Sequence, residues 1–191
     1  MYGRLQLASK YLQYYFKASN GKGHGVHSPF VFEFITKVLK DRRVYPDYTE
    51  VETLRQKLSN DPTILNVDDF GAGSTKSKTS QRTIASITKN AAKSKKFGQL
   101  LYRIAKFYQP QTILELGTSL GITSSYLARA RPGAKLITLE GAKEVLAVAR
   151  NNFDHLQLRN IETVEGNFDD TLQPAIRSLQ SSIDLAFIDG N

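Results

Sequence analysis

The spacing of apolar positions changes character near residue 110. Before that point it is helical. Leu5, Leu7, Tyr11, Leu12, Tyr15 and Phe16 form an amphipathic stripe that ends at a glycine-bearing loop, residues 20–23. A second helix is predicted from Ser28, a good N-cap, with Pro29 at the first helical position and Phe30, Phe32, Phe34, Ile35 and Val38 as its burying face. A third covers 49–58. Residues 71–81 are small and polar and read as a loop. Helical patterns follow over 82–90 and 95–108, the latter burying Phe97, Leu100, Leu101, Ile104 and Tyr108 before Pro110 closes it.

From Thr112 onward, short apolar runs at 112–116, 135–139, 160–164 and 183–188 alternate with helical segments at 122–130, 142–153 and 170–179. Strict alternation of this kind predicts an α/β architecture, a Rossmann-like doubly wound parallel sheet with helices on both faces, here with four core strands. The expected organisation is an N-terminal helical extension over 1–70, a basic loop and linking helix over 71–96, and the α/β domain over 97–191.

Composition adds exclusions. With 40% apolar and 23% charged residues the chain has ordinary globular composition, so wholesale disorder is excluded. The absence of cysteine excludes a disulfide framework and any thiolate metal site. No apolar stretch is long enough for a signal peptide core or a membrane span, which leaves the cytoplasm as the expected compartment and no membrane partner. The net charge of +8 is unevenly spread, because Lys76, Lys78, Arg82, Lys89, Lys93, Lys95 and Lys96 fall in residues 71–96 without one acidic residue among them. That stretch has three readings: a solvated lysine face, a site for an anionic acceptor or phosphate, or a nucleic-acid contact. It contains no aromatic residue, so stacking on bases has nothing to use.

The sharpest chemical signal is the segment 112–127, a buried strand carrying Glu115, a turn with Gly117 and Gly121, and a helix from Ile122. In open α/β sheets ligands sit beyond the carboxyl ends of the strands, where this turn lies. A dinucleotide site would want G-x-G-x-x-G, whose second glycine admits a pyrophosphate; the spacing here is G-x-x-x-G, with Ser119 between, which suits a nucleoside without phosphates better than NAD. The next strand ends in Glu140, nineteen residues past Gly121, a carboxylate able to accept both hydroxyl hydrogens of a ribose. Asn167 and Phe168 follow the third strand, where they could read an adenine edge and cover its face, and the fourth strand delivers Asp189 to the same rim.

Glu-Leu-Gly-Thr-Ser-Leu-Gly, Thr-Leu-Glu, Glu-Gly-Asn-Phe and Phe-Ile-Asp-Gly, in this order, resemble class I S-adenosylmethionine-dependent methyltransferases, closest to the O-methyltransferase branch with the catechol and caffeoyl-CoA enzymes. The likeness covers about residues 95–191. It implies S-adenosylmethionine as cofactor and O-methyl transfer to a small-molecule acceptor. Glu115 and the backbone of Gly117, Thr118 and Ser119 would hold the methionine part, with Thr123 near its carboxylate, Gly121 at the helix entry, Glu140 on the ribose, and Asn167 and Phe168 around the adenine. Asp189 falls where metal-dependent members place one carboxylate ligand of a divalent cation, and it is the candidate catalytic group for acceptor deprotonation.

The family continues past this strand with three further strands, so the resemblance also carries the expectation of a longer protein. An uncovered sheet edge leaves a homodimer open. An RNA-modifying methyltransferase using 71–96 as a clamp and a non-catalytic S-adenosylmethionine-binding module are the alternatives. Two other features read more weakly. Residues 63–74 look like a nucleotide loop, but no second strand with a terminal carboxylate follows, and they are expected near the mouth of the site. His24 and His27 could act as a general base only if the N-terminal helices fold over the site; His155 reads as structural.

Overall fold

The computed structural model describes residues 28–69, 78–179 and 181–190. The stripe over 5–16, His24 and His27 lie outside them. The chain divides into two compact units, Met1–Arg43 and Val44–Asn191.

In the first unit, α1 (Pro29–Glu33) starts as predicted, with Ser28 Oγ accepting from the Val31 amide at 3.4 Å and Pro29 in the first turn. It then widens into a π-helical stretch, Phe34–Leu39, in which the Lys40 amide reaches back five residues to Ile35. This shift of period corrects the expected burying face. Val38 is buried, whereas Phe30 and Phe32 are exposed, because α1 is too short to present a continuous stripe before the register of side chains changes.

The second unit begins with α2 (Pro46–Ser59), whose Tyr48, Val51, Leu54 and Leu58 recur at helical spacing and are buried. Next comes an antiparallel pair, β1 (Ile64–Asp69) and β2 (Lys78–Thr83), in register from Ile64↔Thr83 to Asp69↔Lys78. The expected polar loop over 71–81 is therefore a strand from Lys78 onward. Its serine and threonine residues have no apolar alternation, and only pairing with β1 makes them a strand. Within the 63–74 segment expected as a loop at the site mouth, residues 64–69 form the partner strand, tied to Glu144 by two bonds from Asn66 to its carboxylate, at 2.7 and 2.9 Å. Thr83 caps α3 (Ile84–Asn90), and Ser94 caps α4 (Lys95–Tyr108).

The remainder alternates as predicted: β3 (Thr112–Leu116), α5 (Ile122–Ala130), β4 (Lys135–Glu140), α6 (Lys143–His155), β5 (Ile161–Glu165), α7 (Phe168–Arg177) and β6 (Leu185–Ile188). The four strands form one parallel sheet in the order β5-β4-β3-β6. Side chains alternate across it. Ile113 and Leu136 join the large core built with α2, α4, α5 and α6, whereas Leu114, Leu116, Ile137 and Leu139 face α7 through Leu172, Ala175 and Ile176. Helices thus cover both faces. The chain winds outward from β3 through β4 to β5 and then returns to the other side of β3 with β6, so the crevice at the carboxyl ends of β3 and β6 is the switch point where this fold class binds ligands.

Candidate functional site

The loop joining β3 to α5 is shaped by three residues with positive φ: Gly117 at 96°, Ser119 at 48° and Gly121 at 78°. Gly117 has a second constraint, since an added Cβ would lie 2.9 Å from the Asp189 carbonyl and the Gly190 amide. A Cβ on Gly121 would run into the ring of Phe153 on α6. These glycines let the loop fold tightly against β6 on one side and α6 on the other.

Four amides of this loop are already committed. Gly117 and Thr118 both donate to the Leu139 carbonyl, at 2.9 and 3.1 Å, Gly121 donates to Thr118 at 2.9 Å, and Ser119 donates to Glu140 Oε2 at 2.8 Å. A phosphate-binding loop needs such amides free. This one has spent four of them on the tip of β4 and on itself.

Carboxylates gather around the loop. Glu115 is fully buried and shares the face of β3 that carries Ile113, as the period of two requires. Its Oε2 accepts from Ser124 Oγ on α5 and, at 2.7 Å, from Thr138 Oγ1, which lies 2.6 Å from Thr118 Oγ1. Because the single Thr138 hydrogen goes to Glu115, Thr118 must donate to Thr138. Glu115 Oε1 is buried without a partner among the described residues. Burial pushes the Glu115 carboxyl up to about 7; the charges of Asp189 and Glu140 add to the rise, and the Ser124 and Thr138 hydroxyls oppose it. Glu140, at the tip of β4, clamps the Ser119 amide and, at 3.0 Å, the Ala142 amide.

The other predicted residues are placed as follows. Thr123 is half-buried in the first turn of α5, and Gly121 is that helix's N-cap. Asn167 caps α7, its Oδ1 accepting from the Asp169 amide at 3.1 Å. The Phe168 ring packs beside Gly190 and against the α7 side of the sheet. The Asp189 amide donates to the Leu116 carbonyl at 2.9 Å, which fixes it at the end of β3, and its side chain pairs with Lys93 Nζ at 2.6 Å. The structure thus brings Glu115, Glu140 and Asp189 together at the ends of three adjacent strands, close enough for the latter two to raise the first.

Three participants were missed. Ser124 and Thr138 carried a faint signal, as hydroxyls at positions whose neighbours on the same face are apolar. Lys93 carried only the signal of the basic run over 71–96, one reading of which is an anionic-acceptor site; its pairing with Asp189, 96 residues away, carried none.

Residues 114–191 match the family described as "Methyltransferase domain". This segment is similar to methyltransferase domains. Over 96 residues, covering 49% of the chain, the sequence is 34% identical to a catechol O-methyltransferase of Niastella koreensis and spans 43% of that relative. An O-methyltransferase from Streptomyces achromogenes, solved with SAM, superimposes with a TM-score of 0.51 at 31% identity over 53% of this chain and 47% of that one. An SAH-bound methyltransferase from Podospora anserina superimposes with a TM-score of 0.57 over all of this chain and 61% of that one; at 15% identity this is a likeness of fold. The chain spans less than half the length of the curated relatives it matches. Among the described residues, no helix is long and apolar enough to cross a membrane.

Proposed function

We propose that the protein is an S-adenosylmethionine-dependent O-methyltransferase acting on a small-molecule acceptor, with the donor bound at the carboxyl ends of β3, β4 and β6. The observation that carries this reading is a loop with four internally committed amides, ringed by the carboxylates of Glu115, Glu140 and Asp189. Such a site repels phosphates and attracts cations. S-adenosylmethionine is a nucleoside without phosphates that carries a sulfonium and an ammonium, so the match is one of charge as well as shape.

Glu115 Oε1, the unpartnered buried acceptor, is the group to receive the donor's ammonium. Glu140 retains lone pairs beyond its two backbone bonds and can accept from ribose hydroxyls. The N-terminus of α5, at Thr123, provides positive partial charge for the methionine carboxylate. In the reaction the carbon–sulfur bond to the methyl breaks as the acceptor oxygen attacks in line, the electron pair passing to sulfur. The protein's contribution to this step is the alignment of donor, methyl and acceptor. Resemblance to O-methyltransferases supports oxygen as the nucleophile.

Calorimetric titration of S-adenosylmethionine into wild type and Glu140→Ala tests the assignment. The expected result is saturable binding weakened at least about tenfold by the substitution, the loss of charge-assisted bonds worth about 1.5–3 kcal/mol. Equal binding in both proteins would refute it. Binding should also tighten between about pH 6 and pH 8, because an ammonium at Glu115 favours its ionised form and the carboxyl titrates at about 7.

A further inference from the structure

Helix α6 supports the proposed donor site at two places. In its second half, Asn152 Nδ2 donates to the Leu120 carbonyl at 2.9 Å and the Phe153 ring fills the space beside Gly121, so the glycine loop rests on a buried stretch of the helix. At its start, the Ala142 amide donates to Glu140 Oε1 at 3.0 Å, while Glu140 Oε2 takes the Ser119 amide at 2.8 Å. These two amides fix the plane of the Glu140 carboxylate, and with it the direction of the lone pairs left over.

The start of α6 is weak by its own sequence. Its N-cap is Ala142, which offers no side-chain acceptor to the first-turn amides, and alanine ranks far below serine, aspartate and asparagine at that position. A helix end of this kind frays, and fraying would draw the Ala142 amide away from Glu140. A hold on the first turn comes instead from 78 residues earlier in the chain. The Asn66 amide donates to Glu144 Oε2 at 2.7 Å and Asn66 Nδ2 donates to Glu144 Oε1 at 2.9 Å, a two-point clasp on the second residue of the helix. The Asn66 side chain, and then its amide, hold the Glu144 carboxyl below its ordinary range, as bonds to an ionised acceptor do.

Strand β1 is arranged to offer that amide. At its root the Ile84 amide donates to the Thr63 carbonyl and the Ala85 amide to the Asp61 carbonyl, both at 2.9 Å. The backbone groups of Thr63 thus face the β2 side. By the period of two, those of Leu65 and Val67 do the same, which turns the Asn66 amide to the outer edge of the hairpin. Leu65 is buried and Val67 partly buried against the core that includes Val145, Leu146 and Ala149 of α6, so the strand is anchored to the helix it clasps. The clasp itself lies at the surface, and its contribution is one of geometry more than of energy.

We propose that Asn66 and Glu144 are positioning residues for donor binding: through their clasp the β1–β2 hairpin holds the first turn of α6, so that Glu140 presents its remaining lone pairs to the ribose. This rests on the proposed donor site and gives a strand outside the parallel sheet a part in it. Asn66 and Glu144 act through Glu140, so their effect is confined to what Glu140 holds, the ribose hydroxyls.

The test measures calorimetric binding of S-adenosylhomocysteine, and of an analogue lacking both ribose hydroxyls, to the full-length protein. It adds amide hydrogen exchange by nuclear magnetic resonance without ligand. Wild type should prefer S-adenosylhomocysteine over the analogue at least about tenfold, as the loss of charge-assisted bonds requires. Glu144→Ala should weaken S-adenosylhomocysteine about fivefold and leave the analogue within about twofold, and Asn66→Ala, which keeps the backbone half of the clasp, should give a smaller loss. Glu144→Gln should recover affinity to within about twofold of wild type, because its oxygen receives the Asn66 amide and its NH2 donates to a flipped Asn66 side chain. In ligand-free Glu144→Ala the Ala142 amide should exchange at least about fivefold faster while the amides of β3 stay as protected as in wild type. Equal weakening of both ligands, indifference of S-adenosylhomocysteine to Glu144→Ala, or unchanged exchange at Ala142 would each overturn the inference and leave the donor site standing. Failure of wild type to bind S-adenosylhomocysteine, or to prefer it over the analogue, would overturn the donor site and the inference with it.

Discussion

Glu115 in the floor of the site and Asp189 on its rim lie on neighbouring strands, yet they are held in opposite ways. Glu115 is fully buried, bonded to two hydroxyls, and has a carboxyl raised to about 7. Asp189 is 27% exposed and paired with an ammonium from a distant turn. The floor is rigid and costly to alter, because every polar group there has few partners and no water to replace them. The rim is inexpensive to alter in stability terms, because solvent screens its ion pair. The two regions should therefore differ in stability: changes to the floor cost folding energy, and changes to the rim cost little of it.

The strongest way to break this contrast is Gly117→Val. A β-branched residue at φ 96°, with its Cβ 2.9 Å from the Asp189 backbone, combines backbone strain with overpacking and should cost on the order of 3 kcal/mol or more in urea denaturation. Wild-type stability would mean that the loop is looser than described. Next comes the pH dependence of Glu115. Its folded carboxyl titrates at about 7 against an ordinary 4.5, so the folded state holds the proton more tightly. This contribution is fully present below about pH 4.5 and is lost as pH rises to about 7, a fall of about 3 kcal/mol without ligand. Glu115→Gln should abolish that slope.

A smaller effect is expected for Thr138→Val, which removes the hydroxyl between Thr118 and Glu115 and should destabilise by about 1–2 kcal/mol while raising the Glu115 carboxyl further. Smallest is Lys93→Ala, where less than about 1 kcal/mol is expected, fading with salt. A loss comparable to that of Gly117→Val would erase the distinction between floor and rim.

The same contrast explains what could be read from the chain. Every strand and helix from Thr112 to Ile188 was legible because each is a local pattern: apolar runs, helical stripes, and a turn whose Gly117 and Gly121 are required by its own geometry. Glu115 and Glu140 were legible for the same reason, as carboxylates at strand ends. The β1–β2 pair was not, since Lys78–Thr83 has no strand pattern until β1 supplies hydrogen bonds to it. The exposed Phe30 and Phe32 were misread because a π-helical stretch breaks the period that burial was inferred from. Lys93 looked like one lysine of a basic run, and only the packing of α4 against β6 and the Arg55 bond to its carbonyl set it apart. Asn167 was read only as a contact to the adenine edge, and the structure shows it as the N-cap of α7.

The central claim is that the floor between β3, β4 and β6 binds a phosphate-free cationic nucleoside. Calorimetric titration of the full-length protein with S-adenosylmethionine and, separately, with NAD tests it most directly. Saturable one-to-one binding of S-adenosylmethionine, with a proton released near pH 7 and no binding of NAD, is the predicted result. Binding of NAD, or no binding of S-adenosylmethionine at any pH, would contradict it.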